Sequence, residues 1–368
     1  MPYFDMIQSR GHEGVFFCSD PDVGLKAIIG IHDTTLGPAL GGCRMKSYSS
    51  ESDALTDVLR LSRAMTYKSA VAGLNLGGGK SVVILDRPEQ KTPELLKAFA
   101  DRISLLRGNY IGAGDVGSNT NDLQIMHEQC PYITGLDQKD GGLGDSSILT
   151  ALGVFRGIQA AVQEKLNRDE MDGLKIAIQG AGKVGFHLVE HLLAAGCEIF
   201  IADINEPVLA QVKEHYPTVT LCNPLELYDK DVDVFSPNAI GGTIDAGVAH
   251  SLKTKILAGG ANNPLGSEKV AHMLHERDIL YAPDFVINSG GVIMVACELE
   301  KQSFEAAREK TLGIYDTTLR VFEYAKQHGM LPWNAAQKLA LNRIEEAQAR
   351  GYHYGRGKNL NESVHFVS

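Results

Sequence analysis

The stretch Leu174-Lys175-Ile176-Ala177-Ile178-Gln179-Gly180-Ala181-Gly182-Lys183-Val184-Gly185 decides the fold. A short apolar run enters a Gly-x-Gly-x-x-Gly turn. Helical spacing then runs from Val184 to Ala195 and is closed by Gly196. The next apolar run, Glu198 to Ala202, ends in Asp203, about 20 residues beyond the first glycine. Strand, glycine turn, helix, strand and acid in this order form a dinucleotide-binding fingerprint. Gly180 permits a tight turn. Gly182 lets the backbone approach a pyrophosphate at the positive end of the helix. Gly185 lets the helix lie close to the sheet. Asp203 can accept hydrogen bonds from an adenosine ribose, and its charge repels the extra phosphate of NADP, so NAD is the expected cofactor.

Further short apolar runs follow at 218–222, 232–236, 255–259 and 279–282, with Asn205 and Pro207 opening another helical stretch. Strands alternating with helices predict a parallel sheet covered on both faces. Residues 304–350 carry helical spacing and are expected to fold back across the gap between two domains. Before residue 140 the text is mixed. Leu25 to His32 and Ser81 to Leu85 read as strands, and residues 51–65 as a helix. Thr92 is the expected N-cap of a helix with Pro93 at its first position, burying Leu95, Leu96, Phe99 and Ile103.

The chain of 368 residues favours two domains. The expected fold is α/β: an N-terminal α/β substrate and assembly domain over 1–140, rejoined by 331–368, and a Rossmann-like NAD domain over 145–330, separated by a cleft. The last dozen residues are polar and expected to be poorly ordered. A net charge of −10 argues against nucleic acid or an anionic membrane surface as partner. No stretch reaches the ~20 apolar residues of a membrane helix, and the N-terminus lacks signal-peptide features. Six scattered cysteines without a Cys-x-x-Cys pair read as reduced cytoplasmic thiols. No metal motif is evident: His127-Glu128 lacks a second histidine four residues on.

Gly77-Gly78-Gly79-Lys80-Ser81 invites a phosphate-loop reading, but Leu74 stands where that loop needs glycine, and a strand-like run follows instead of a helix. The glycines are instead expected to bring backbone close to a ligand, with Lys80 at the mouth of a strand. Lys68 ends the helical segment that holds Met65, and Asp115 lies in a glycine-lined loop. Two lysines close together in a cleft repel each other, and desolvation adds to that, so one becomes a base near neutral pH. The other can hold a carboxylate, and an aspartate beside them can exchange a proton with an amine.

These residues carry a resemblance. Ala27 to Gly42, Met65-Thr66-Tyr67-Lys68, Gly77-Gly78-Gly79-Lys80, Asp115-Val116-Gly117, Gly260-Ala261-Asn262-Asn263 and Tyr281 to Asn288 look like the corresponding segments of leucine, valine and phenylalanine dehydrogenases, relatives of glutamate dehydrogenase. The resemblance implies NAD-dependent oxidative deamination of an L-amino acid to a 2-oxo acid and ammonia. It implies that Lys68 binds the substrate carboxylate, that Lys80 activates water and that Asp115 shuttles a proton. It places Leu40, Gly41, Met65, Ala113, Val292 and Val295 around the substrate. Asn262 would stand at substrate and nicotinamide, and Thr150 would position the nicotinamide. Lys183, Val184, Ile204 and Ala239 would join the glycines and Asp203 at the cofactor.

An aliphatic lining suits valine, leucine or isoleucine, with an aromatic amino acid as the alternative. The segment Gly141 to Thr150 looks more like the valine branch. Gly114 stands where leucine enzymes usually carry glutamate. Asn238, in place of a more usual cysteine, either adds a polar contact near the nicotinamide or fills space. A non-catalytic nucleotide-binding sensor is the rival from another class, and the three polar residues together speak against it. Relatives assemble into homo-oligomers, and the same is expected here.

Overall fold

The structure, a computed structural model, describes residues 3–354. The expectation for the last dozen residues lies outside them. The chain divides into two compact units, Asp145–Leu339 and the remainder on either side of it. The second unit thus runs past the expected limit of 330, and the changeover at Leu339/Ala340 falls inside the last helix.

The first unit is built on α1 (Tyr3–Gln8), β1 (Gly14–Asp20), β2 (Leu25–Asp33), β3 (Ala39–Lys46), α2 (Glu51–Val71), β4 (Gly77–Ile84), α3 (Pro93–Ser104), β5 (Tyr110–Gly114) and α4 (Thr120–Gln129). Its five strands lie in the order β1-β2-β4-β3-β5, with β4 at the centre. The β1–β2 and β2–β4 pairs are antiparallel, and β3 runs parallel to both β4 and β5. Side chains alternate across the sheet. Ile29, Ile31, Cys43, Val83 and Tyr110 enter one core with Leu95, Leu96, Phe99 and Ile103 of α3. Ile28 and Val82 enter another with Leu55, Val58 and Leu59 of α2. Thr92 caps α3 as expected, its hydroxyl accepting from the Leu95 amide at 3.3 Å.

The triple glycine departs from expectation. It lies inside β4, not in a loop, so Lys80 sits mid-strand opposite Gly30. The glycines lie close against other parts of the protein. A Cβ on Gly78 would stand 2.1 Å from the Thr66 hydroxyl, and one on Gly79 2.7 Å from the Tyr110 ring. Bare backbone thus lets α2 lie directly on the sheet. The helix is fastened there by two buried imidazoles. His12 bonds the Ser62 hydroxyl and His32 the Thr66 hydroxyl, each at 2.8 Å. Burial lowers the pKa of His12 to about 3 and of His32 to about 4, so both are neutral at physiological pH.

The second unit begins with α5 (Ser147–Leu166) and continues through β6 (Lys175–Gln179), α6 (Lys183–Ala194), β7 (Glu198–Ala202), α7 (Glu206–His215), β8 (Thr220–Leu221) and β9 (Val234–Pro237). Next come α8 (Ala246–Ser251), β10 (Ile256–Leu257), α9 (Glu268–Glu276), β11 (Leu280–Tyr281), α10 (Asp284–Ile287) and α11 (Gly290–Leu299). The six strands are all parallel in the order β11-β10-β9-β6-β7-β8. The chain starts centrally at β6, winds outward to one edge, and returns to fill the other. This is the dinucleotide-binding strand order, with its switch point between β6 and β9. The tail is helical, as the spacing predicts: α12 (Phe304–Leu312), α13 (Ile314–His328) and α14 (Pro332–Ala349). From Ala340 onward α14 belongs to the first unit. There Arg343 donates to the carbonyls of Ala70 and Leu74 and to the Asn75 side chain.

Candidate active site

In the first unit, β3 presents Leu40, Gly42 and Arg44 on the α2 face of the sheet. Lys80 of β4 and Ala113 of β5 lie beside Gly42 on that face. The Lys80 ammonium is 2.5 Å from Oδ2 of Asp115, which follows β5. Gly42 makes room for the pair, because a Cβ there would stand 2.7 Å from the Asp115 Cβ and 3.0 Å from the Lys80 Nζ. Gly41 lets β3 approach β4, where a Cβ would fall 1.9 Å from the Gly79 carbonyl. Lys80 is 5% exposed and Leu40 1%.

Burial lowers the Lys80 pKa from its ordinary value, and the Asp115 carboxylate only partly offsets it. Burial would raise Asp115, but Lys80 and then Arg44 outweigh it and hold the acid ionised. Arg44 is a cation that works with burial to lower Lys80. Arg44 was missed from sequence. Its Nε donates to the same Asp115 Oδ2 at 2.8 Å, and its Nη1 reaches Asp57 at 2.9 Å. Tyr48 and Arg60 also bond Asp57, at 2.9 and 3.0 Å. Lys68 stands half-buried in the last turn of α2, one turn beyond the half-buried Met65 and two residues beyond Thr66, which touches Gly78.

In the second unit the glycine turn has the expected form. Gly180 has φ +99°, a conformation glycine adopts without strain. A Cβ there would meet the Asn238–Ala239 backbone at 2.8 to 3.0 Å, so Ala239 stands across the switch point. Around Gly182, the N-cap of α6, a Cβ would meet nothing within 4 Å. A Cβ on Gly185 would stand 2.1 Å from the Gly180 carbonyl, which is the close helix–sheet contact. Open space at a helix N-terminus fits a pyrophosphate.

Asp203 does part of its work within the protein. Its Oδ2 accepts from the Ala181 amide at 2.7 Å and its Oδ1 from the Asn205 amide at 2.8 Å. Each oxygen keeps a lone pair for a ribose hydroxyl. Ile204 beyond it is 92% exposed, and Ile240 after β9 is 78% exposed. Val184 lies against the Gly260 position, where a Cβ would be 3.0 Å from its Cγ1. Lys183 pairs with Asp145 at 2.8 Å, a use of its charge that the motif does not reveal.

The loop Gly260 to Asn263 is held from behind. Asn288 donates to Asn262 Oδ1 at 2.9 Å and to the Gly260 carbonyl at 3.1 Å. Asp284 accepts from the Asn263 amide and the Tyr281 hydroxyl. Asn238 bonds the Ser236 carbonyl and hydroxyl and accepts from the Gly260 amide, so its amide ties β9 to this loop. Thr150 bonds Ser146 within α5 and touches the start of α11, where a Cβ on Gly291 would meet its hydroxyl at 2.8 Å. Val292 and Val295 are buried in α11. Among the described residues, no cluster of three or more His, Cys, Asp and Glu could hold a metal ion. No described helix is long and apolar enough to cross a membrane.

A dinucleotide-binding unit joined to a unit carrying a buried lysine–aspartate pair defines the class of a nicotinamide-dependent oxidoreductase. Two sequence profiles match the chain: "Glu/Leu/Phe/Val dehydrogenase, dimerisation domain" over residues 12–132 and "Glutamate/Leucine/Phenylalanine/Valine dehydrogenase" over residues 200–351. Leucine dehydrogenase of Geobacillus stearothermophilus is 44% identical over 94% of both chains. Valine dehydrogenase of Streptomyces virginiae is 43% identical over 92% of this chain and 95% of its own. The crystal structure of L-tryptophan dehydrogenase from Nostoc punctiforme superposes with a TM-score of 0.83 at 40% identity, covering 94% of this chain and 100% of that one. The chain belongs to the Glu/Leu/Phe/Val dehydrogenase family and is an amino-acid dehydrogenase. The family uses NAD or NADP.

Replacing Asp115 by Ala is expected to leave a buried Lys80 facing Arg44 without an acid. Breaking a buried pair costs about 3–5 kcal/mol, and Lys80 can reduce that loss by shedding its proton. Its folded pKa then lies further below the unfolded value, so the variant gains stability as pH rises toward the unfolded pKa. Urea unfolding should show a larger deficit at pH 6 than at pH 10. A deficit independent of pH would contradict the pairing.

Proposed function

We propose that the protein catalyses NAD-dependent oxidative deamination of a branched-chain L-amino acid, reversibly, to the 2-oxo acid and ammonia. The observation that carries this reading is the buried Lys80–Asp115 pair on the sheet face that also bears Leu40 and Ala113. When bound, the dinucleotide supplies the acceptor for the hydride leaving the substrate α-carbon. Gly180, Gly182, Gly185 and the α6 N-terminus hold its pyrophosphate, and Asp203 takes the ribose hydroxyls with the lone pairs the turn leaves free. Lys183, Val184, Ile204, Ala239, Thr150 and Asn262 complete that site. Ile204 offers an apolar surface, and Asn288 orients Asn262.

Lys68 holds the substrate carboxylate. Asp115 takes a proton from the substrate ammonium, so that the amine lone pair can form the cationic imine as hydride leaves the α-carbon. Lys80, its pKa lowered by burial, draws a proton from water as the oxygen attacks the imine carbon. The carbinolamine then expels ammonia: Asp115 protonates the leaving nitrogen, and the carboxylate thus regenerated takes the hydroxyl proton as the carbonyl forms. On the first unit, Leu40, Gly41, Met65 and Ala113 are assigned to the substrate side chain, a set without a charge. A few methylenes shift preference by only ~1–3 kcal/mol, so valine, leucine and isoleucine should all react. The aromatic alternative draws support from the tryptophan dehydrogenase likeness.

Assembly into a homo-oligomer fits the edge of the first unit's sheet. β1 is an edge strand, with Phe16 and Phe17 39% and 57% exposed and Tyr3 against the Phe17 ring. An apolar, unpaired edge is a template for a second chain.

Kinetics with valine, leucine, isoleucine, phenylalanine and tryptophan, each with NAD and with NADP, test this reading. The expected result is the highest kcat/KM with an aliphatic substrate and NAD. A pronounced aromatic preference, or equal use of NADP, would refute the corresponding assignment. Lys80→Ala should bind NAD with unchanged affinity while turnover falls by 10²-fold or more; retained turnover would remove Lys80 from the chemistry. Sedimentation of Phe17→Lys should show smaller assemblies than the parent, and an unaltered distribution would exclude the β1 edge.

A further inference from the structure

Lys80 and Arg44 compete for one oxygen. Both bond Asp115 Oδ2, at 2.5 and 2.8 Å. A lone aspartate beside a buried lysine would hold that lysine protonated, because the charged pair is favoured over a neutral amine beside a carboxylate. Such a lysine is a poor base. Here the carboxylate is shared with a guanidinium, which stays charged at every relevant pH. The guanidinium is itself held at its other end by Asp57, which Tyr48 and Arg60 steady in turn.

We infer that Arg44 is a positioning residue for the proposed base. By sharing the Asp115 carboxylate and placing a fixed positive charge beside Lys80, it lets Lys80 release its proton to solvent while Asp115 stays ionised. Asp57 sets how much of the Arg44 charge Lys80 experiences. The inference rests on the reading of Lys80 as the base.

The groups around Lys80 favour this assignment. From β3 come Arg44 and Cys43; the buried Cys43 thiol is raised by desolvation and is neutral. From β5 comes Asp115, with Tyr110 on the opposite face bonding Ser81 and the Gly41 carbonyl. From β2 comes His32, neutral through burial. From α2 come Asp57 and Arg60 at the Arg44 end and Lys68 in the last turn. Burial is the first cause of the lowered Lys80 pKa, Asp115 opposes it, and Arg44 is the cation that works with burial.

The test is the pH profile of kcat/KM for deamination in three variants, compared with Lys80→Ala. Arg44→Met removes the positive charge, and the midpoint of the rising limb should move up by about one unit. Arg44→Lys keeps a charge and should lie between parent and Arg44→Met. Asp57→Asn leaves Arg44 less neutralised, and the midpoint should move down. Opposite movements are not expected of a merely structural role, which would lower the rate at every pH without moving the limb. Unmoved midpoints in Arg44→Met and Asp57→Asn would overturn the assignment. If Arg44→Met does not fold, Asp57→Asn decides alone, and an unmoved or raised midpoint overturns it. A Lys80→Ala variant that still turns over would defeat the reading of Lys80 as base. An inactive Lys80→Ala with unmoved limbs in the other variants would defeat only the role of Arg44.

Discussion

One carboxylate organises the first unit. Asp115 receives a lysine from the central strand β4 and an arginine from β3 on a single oxygen. Bringing two cations and one anion out of water is costly, and the cost is tolerable only where geometry and hydrogen bonds satisfy every group. The surroundings follow from that demand. Gly42 leaves the volume the pair occupies, and Gly41 brings β3 against β4. Asp57, with Tyr48 and Arg60, neutralises the far side of Arg44. The helix that carries Asp57 and Lys68 reaches the sheet because Gly30 and Gly78 offer no side chain beneath Val58 and Thr66.

The second unit solves a different problem with similar means. A dinucleotide needs bare backbone amides, an open helix end and a carboxylate, all at one edge of a sheet. Around the turn, Gly180 and Gly185 bring backbone into close contact, the space about Gly182 at the α6 N-terminus is open, and Asp203 buttresses the turn through the Ala181 amide. The Gly260 to Asn263 loop has no regular structure of its own. Asn238 after β9 and Asp284 and Asn288 at the two ends of α10 satisfy its amides and carbonyls.

The sheet of the second unit was legible because each element is encoded locally. Its strands are apolar runs, its turn is a glycine spacing, and its helices show their period. The first unit was harder to read. Three consecutive glycines resemble a loop in text, yet they lie in the central strand of a mixed sheet. Burial between α2 and Tyr110 outweighs their weak strand propensity. Lys80 and Asp115 were recognisable through resemblance, and their residue types already suited proton transfer. Arg44 gave no signal: an arginine in a strand reads as a surface charge, and nothing local ties it to an aspartate 71 residues away.

The sequence by itself determined that a βαβ unit with a glycine turn lies between Leu174 and Asp203, because strand period, glycine spacing and acid position are properties of neighbouring residues. It also determined which residues can exchange protons, because that is a property of residue type. Only the tertiary structure decided which charges meet. The partnership of Lys80 and Arg44 on Asp115, the tie from Asn238 to Gly260 and the seat of α2 on bare strand all depend on register and approach between distant segments. Such contacts follow from how the strands align, which no local pattern encodes.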